Sequence, residues 1–405
     1  MKYPTGRHDG EGKAMNRLPG KHSEAPVEGN SGVTLPDGMD SLLRRILPLA
    51  ARGLQEMFDP ERQRFCFRAV RSAQGIRMEG VSDRYTIISL LGLARMEKCG
   101  KKSPVDVQKA LSSLLSSVET VDGIGDLGLL LWLCALASPD RLPRIWSELK
   151  IWEALSRFPD ALQGRTVELS WFLSGISHVA LAGVPGIPGL EELAETTCRA
   201  LVRNYGGKGI FRHMRRSSLS GLVRGRLGCF ADQAYPIYAL SKYHRAFGSK
   251  EALAAASEAA RAICRLQGPL GQWWWHYDAE TGRVVGKYPV YSVHQDGMAP
   301  MALHAVGEAS GESFQGAITR GLGWIAGNNE LSMDLIDSSR NVIWRSVYRD
   351  RYNLFASEMA SLLFPPGREK AYTDLKVLYE CWSYHLGWLL YAFSEASSLS
   401  RGRPE

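Results

Sequence analysis

The sequence contains no Cys-x-x-Cys pair. Its seven cysteines, Cys66, Cys99, Cys134, Cys198, Cys229, Cys264 and Cys381, are scattered and odd in number, which argues against a disulfide framework and against a zinc site of paired thiolates. A reducing compartment is the simplest setting for such a set. Long apolar runs are missing too: the longest, Leu127 to Ala137, falls far short of the roughly 20 residues that a bilayer-spanning helix needs. The opening stretch, MKYPTGRHDGEGKAMNRLPG, has no apolar segment of the secretory kind. Neither sign of charge dominates. Lys plus Arg number 49 against 42 Asp plus Glu, a net +7, and this mild excess points to an anionic ligand, not to a nucleic-acid surface. The one acidic cluster, Asn329, Glu330, Asp334 and Asp337, lacks EF-hand order, so neither a metal nor another cofactor is expected. These absences together predict a cytoplasmic protein with no membrane span and no nucleic-acid partner.

What is present suffices for a large core: 45% of the 405 residues are hydrophobic and 22% charged. Residues 1–38 are the exception, being Gly, Pro and charge throughout, and are expected to form a disordered tail; residues 401–405 read as a C-terminal tail. Between them one kind of segment recurs six times, a polar or ring-bearing start followed by an almost uncharged stretch. The copies are RYTIISLLGLAR from Arg84, GDLGLLLWLCALA from Gly125, VELSWFLSGISHVALAG from Val167, FADQAYPIYALSKY from Phe230, HQDGMAPMALHAV from His294 and SYHLGWLLYAFSEA from Ser383. Their apolar spacing is helical, and a helix apolar on every face is one enclosed on all sides. Amphipathic segments stand between them, at 39–58, 105–119, 144–158, 190–205, 250–267 and 314–325, and read as outer helices. Six outer helices alternating with six inner ones predict a closed ring of helical hairpins, a single all-α domain over 39–400. The extra chain at 65–83, 206–229, 271–293 and 332–382 always falls between an outer helix and the next inner one. These loops are expected to gather at one mouth of the ring, with short β-hairpins in them.

This pattern resembles the (α/α)6 toroids, which include six-hairpin glycoside hydrolases, toroidal polysaccharide lyases and uronate epimerases, and the terpenoid-cyclase and prenyltransferase group. Two local motifs carry the likeness further. WWWHYDAETGRVVGKYPVYSVHQDGMAPMALHAV, residues 273–306, is similar in layout to the unsaturated-uronyl hydrolases, and that resemblance implies a general acid and base at Asp278. QGPLGQW, residues 267–273, is similar to the Gln-x-x-x-Gly-x-Trp motif of terpenoid cyclases, where it is a structural staple; the aspartate signatures of isoprenoid chemistry are absent.

If the inner helices open at the mouth, their first turns bring together Arg84 and Tyr85, Asp122 and Asp126, Glu168 and Trp171, Asp232, Gln233 and Tyr235, His294, Gln295 and Asp296, and Tyr384 and His385. Asp126 and Asp232 also suit helix caps. Hydrolysis of a glycosidic bond wants two carboxyl groups in different protonation states, and Asp232, Asp278, Asp296 and His294 are the expected acid–base set. β-Elimination or epimerisation of a uronate instead wants a Tyr or His base and a cation. Arg84, Tyr85, Glu168, Trp171, Gln233, Tyr235, Trp274, His276, Gln295, Tyr384 and His385 are expected to bind the ligand, an acidic saccharide or other anionic small molecule. The expected activity is that of a carbohydrate-active toroid enzyme on a uronate-containing saccharide. The alternatives are an isoprenoid-type toroid protein and a non-catalytic glycan-binding scaffold of polysaccharide assembly. The basic loop, Arg212 to Arg226, reads as a solvated loop or an anion-binding one.

Overall fold

A computed structural model of the protein describes residues 36–116, 123–156, 164–214, 225–349 and 374–395. The expected tails lie outside these, except that the first helix begins at Pro36.

The expected alternation is present. The inner helices are α2 (Asp83–Lys98), α4 (Ile124–Ala137), α7 (Thr166–Leu181), α9 (Ala231–Phe247), α11 (Ala299–Ser310) and α13 (Ser383–Phe393). In α4 every residue from Ile124 to Leu136 is buried, as a helix without a polar face requires. The outer helices are α1 (Pro36–Glu56), α3 (Val107–Leu115), α5 (Leu142–Glu148) with α6 (Ile151–Ser156), α8 (Leu190–Val202), α10 (Lys250–Leu266) and α12 (Gln315–Ile325). The third outer position departs from expectation. A single helix was predicted over 144–158, but Lys150 adopts φ +45° and divides it in two.

Each inner helix packs against the next, and α13 packs against α2, closing the ring. Two seams are tight enough to need glycine. A Cβ on Gly92 of α2 would lie 2.2 Å from the Gly387 carbonyl oxygen of α13, and one on Gly175 of α7 would lie 2.1 Å from the Gly128 carbonyl oxygen of α4. Deeper in the ring, four inner helices meet through a hydrogen-bonded aromatic cluster. Trp132 Nε1 donates to Tyr391 Oη at 3.2 Å, the Tyr391 and Tyr238 hydroxyls are 2.7 Å apart, and His178 Nε2 meets Tyr238 Oη at 2.7 Å.

Every described strand lies between an outer helix and the following inner one. β2 (Arg64–Ser72) and β3 (Gly75–Val81) form the first hairpin, with β1 (Phe58–Asp59) beside β2. β4 (Leu227–Cys229), β5 (His276–Asp278) and β6 (Arg283–Gly286) make a second sheet. β7 (Val290–Tyr291), β10 (Ser346–Arg349) and β11 (Leu375–Leu378) make a third, and β8 (Ile336–Asp337) pairs with β9 (Val342–Ile343). β12 (Glu380–Trp382) pairs antiparallel with β2, Trp382 opposite Arg68, so the last loop is sewn to the first. The expected turn at 279–282 joins β5 to β6, with Gly282 at φ +70°.

QGPLGQW acts as a staple. Gln267 Nε2 donates to the Gly271 and Ala317 carbonyls at 3.0 and 2.9 Å, and Arg320 donates back to Gln267 Oε1. The acidic cluster is likewise structural. Glu330 accepts from Tyr288 Oη and Trp324 Nε1, Asp334 pairs with Arg45 and Asp337 with Arg340. All seven cysteines are free thiols, and no described helix is long and apolar enough to cross a membrane.

Candidate functional site

The inner helices start at the mouth because their polar first residues are placed by the β-rich loops. Ser82 caps α2, accepting the Tyr85 N–H at 3.3 Å, which sets Arg84 and Tyr85 at the rim. Arg84 then reaches two helices at once. Its guanidinium donates to Asp126 from Nε at 2.5 Å and from Nη2 at 2.9 Å, and the same Nη2 lies 3.5 Å from Glu168 Oε1. Glu168 Oε2 also accepts the Gly125 N–H at 3.0 Å. Burial disfavours the Arg84 charge, but the two carboxylates outweigh it and hold the group firmly protonated. A shared nitrogen, at 2.9 Å from Asp126 and 3.5 Å from Glu168, keeps the two carboxyl groups close together, as hydrolysis of a glycosidic bond by paired carboxyls requires. Trp171 lies under the Arg84 guanidinium at 5.2 Å and edge-on to Tyr235 at 5.1 Å, and Tyr235 accepts from Trp388 Nε1 at 2.9 Å. Asp126 suited a helix cap in the sequence; here it is an ion-pair partner of Arg84, and Asp122 lies outside the described residues.

A second lobe is aromatic. Tyr85 contacts Phe67, Tyr384 and Trp382 at centroid distances of 5.1, 4.6 and 5.5 Å. The Arg345 guanidinium carbon is 3.1 Å from the Trp382 ring centre and 4.8 Å from that of Tyr291. His294 completes the lobe, its ring parallel to Trp275 at 5.9 Å, near Phe230 at 4.7 Å and edge-on to Tyr291 at 5.2 Å. It belongs to a π-helical turn, His294–Met298, that opens the fifth inner helix; such turns often accompany functional positions. Burial, then the charges of Arg345 and His385, push the His294 pKa well below 6.5, so the ring is neutral. Its Nδ1 is buried without a hydrogen-bond partner.

The expected acid–base set is therefore distributed differently. Asp232 is fully buried, accepting the Cys229 N–H at 2.9 Å and meeting His213 Nδ1 at 3.1 Å. Asp296 is fully buried against His385, whose Nε2 lies 2.8 and 2.9 Å from its two oxygens, and burial raises its pKa. Asp278 has both oxygens committed. Arg226 donates to each at 2.6 Å, Thr281 Oγ1 and the Glu280 N–H add to them, and despite burial these donors lower its pKa. Gln233 and Gln295 brace backbone, Gln233 exchanging two bonds with Phe211 and Gln295 accepting from Trp273 N and donating to Tyr291 O. Of the three consecutive tryptophans, Trp273 and Trp274 are buried, Trp274 beneath Lys287. Trp275 keeps partial exposure and faces His294, with the His276 ring beside it. In the basic loop, Arg212 and Arg226 pair with Glu280, and 215–224 lie outside the described residues.

Comparisons with solved structures agree on the architecture. An unsaturated glucuronyl hydrolase specific for heparin superposes with a TM-score of 0.59 at 15% identity, covering 90% of this chain and 98% of its own. The unsaturated glucuronyl hydrolase of Bacillus sp. GL1, responsible for degradation of glycosaminoglycan, gives 0.54 at 16%, covering 90% and 97%. A possible member of the GH105 family from Salmonella enterica serovar Paratyphi A gives 0.57 at 10%, covering 91% and 96%. The fold is that of these (α/α)6 toroids. No protein-family model and no curated protein sequence matches the chain.

Proposed function

We propose that this protein is a carbohydrate-active toroid enzyme that hydrolyses an acidic, uronate-containing saccharide, with Asp126 and Glu168 as its acid–base pair. The observation that carries this reading is the pair itself. Two carboxyl groups from successive inner helices converge on Arg84, with side chains 11% and 23% exposed, whereas Asp232, Asp278 and Asp296 are sealed in the protein. Hydrolysis needs one group to give a proton and another to activate water. Asp126, gripped through both oxygens, takes the role of orienting water. Glu168, held by one longer contact and one N–H, takes the role of proton carrier. Structural similarity to unsaturated glucuronyl hydrolases supports a uronate as substrate, and the aromatic side chains suit sugar faces. Two guanidinium groups at the mouth weigh against carbocation chemistry of the isoprenoid kind, because they repel positive charge. Elimination by a histidine base is less supported, since His385 is bound to Asp296 and burial pushes the His294 pKa well below 6.5, which makes its ring a weak base.

The test is turnover of an unsaturated uronyl disaccharide, followed by loss of its ultraviolet absorbance. Asp126→Asn and Glu168→Gln should each remain folded and lower kcat/KM by about two orders of magnitude or more. A parent protein that binds the disaccharide without turning it over would instead support the glycan-binding reading. Wild-type rates in both variants would remove the pair from the mechanism.

A further inference from the structure

Arg84 cannot serve both the catalytic pair and an incoming anion without releasing its carboxylates, which raises the question of where the ligand's own charge is held. The other acids around the mouth are spoken for. Asp296 is bound to His385, and Glu380 accepts from Arg68 at 2.6 Å and from Trp382 Nε1 at 2.8 Å. Arg345 stands apart. It is half-buried, rests on the rings of Trp382 and Tyr291, and has no carboxylate partner among the described residues. Ring contact uses the face of a guanidinium, whereas its N–H donors point outward in its plane, in a fork that matches a carboxylate. A charge partly withdrawn from water and left without a counter-charge is costly unless a ligand supplies one. The second observation lies next to it. Tyr291 touches both Arg345 and His294, and the His294 ring, 4% exposed, has an unpartnered Nδ1. An arginine that has Tyr291 as a hydrogen-bond partner but no carboxylate, and a buried histidine nitrogen with no partner, thus share one aromatic cradle.

We infer that Arg345, with His294 beside it, binds the carboxylate of the uronate and so determines that the enzyme acts on acidic saccharides in preference to neutral ones. This deepens the reading of the site given above and rests on it. Arg345 is a specificity residue; its loss removes recognition of the charge without removing the acid–base pair. His294 Nδ1 supplies a hydrogen-bond position for the second carboxylate oxygen or the neighbouring hydroxyl.

The experiment compares an unsaturated uronyl disaccharide with its C6 methyl ester, which has the same shape and no charge, on the parent protein, Arg345→Gln and Arg345→Lys. The parent should prefer the free acid. In Arg345→Gln the ratio of kcat/KM for acid over ester should fall about tenfold to a hundredfold, chiefly through KM for the acid, as expected for loss of one charge-assisted contact. Arg345→Lys, which keeps the charge but not the fork, should lie between and covers the case in which the Gln variant folds poorly. An acid-over-ester ratio unchanged in both variants, with the parent active, overturns the role of Arg345 and leaves the hydrolase reading standing. A ratio unchanged because both substrates lose equally assigns Arg345 to support of the fold and also overturns it. A parent inert towards and unbound by either compound overturns the hydrolase reading, and this inference with it.

Discussion

His294 and Asp126 illustrate how far single residues were readable. A titratable group at an inner-helix start was visible in the sequence for each. What each touches was not, because the partners are distant in the chain. Asp126 meets an arginine 42 residues earlier, and Asp278 one 52 residues earlier. In sequence, a capping carboxylate and a catalytic one look alike. Of the tryptophan triplet, Trp274 was the expected ligand contact, but beside the strand that begins at His276 it is Trp275 that stays partly exposed and Trp274 that is buried. His294 also carries a pH signature. Its folded-state pKa is depressed below 6.5, so its contribution to stability is present above pH 6.5 and is lost as the pH falls below it, where the unfolded chain takes up a proton and the folded one does not. His294→Phe fills the same aromatic slot without a titrating ring. Between about pH 7 and about pH 5 its unfolding free energy should fall less steeply than that of the parent, by up to about 1.4 kcal/mol per pH unit. Thermal or urea unfolding across that range reads the difference. Parallel slopes would show that His294 does not titrate differently on folding.

At the scale of elements, the legible part was periodicity. Six uncharged helices and six amphipathic ones were countable because burial on all sides and burial on one side leave different patterns. The break at Lys150 was not legible, since a lysine in the left-handed region has no sequence mark of the kind a glycine provides. Nor was the π-helical turn at His294–Met298, whose residues also suit an α-helix. Glycines inside inner helices read simply as small apolar positions, yet two pairs set the distance between neighbouring helices. Gly175→Ala, by driving a methyl group into the Gly128 carbonyl, should separate α4 from α7 and cost about 3 kcal/mol. Ala180→Gly, on α7 beyond the buried stretch, is the control for altered helix propensity and should cost about 1 kcal/mol. Urea midpoints at constant slope measure both. Equal losses would mean the seam adapts.

For the whole molecule, the ring was predicted by counting and is closed by contacts that counting could not reveal: α13 on α2, and β12 on β2. That closure brings Trp382 and Arg345 from the last loop and Tyr384 from the last inner helix to Tyr85 and Arg84 from the first inner helix, assembling one mouth from the two ends of the domain. The central claim is that this mouth hydrolyses, with water activated between Asp126 and Glu168. Mass spectrometry of the products formed from an unsaturated uronyl disaccharide in heavy-oxygen water tests it most directly. The account predicts cleavage with one solvent oxygen retained in the released uronate-derived product for the parent, and no cleavage above background for the Asp126→Asn, Glu168→Gln double variant. Cleavage that yields a new unsaturated sugar without solvent oxygen, or labelled product from the double variant at the parent's rate, would contradict it.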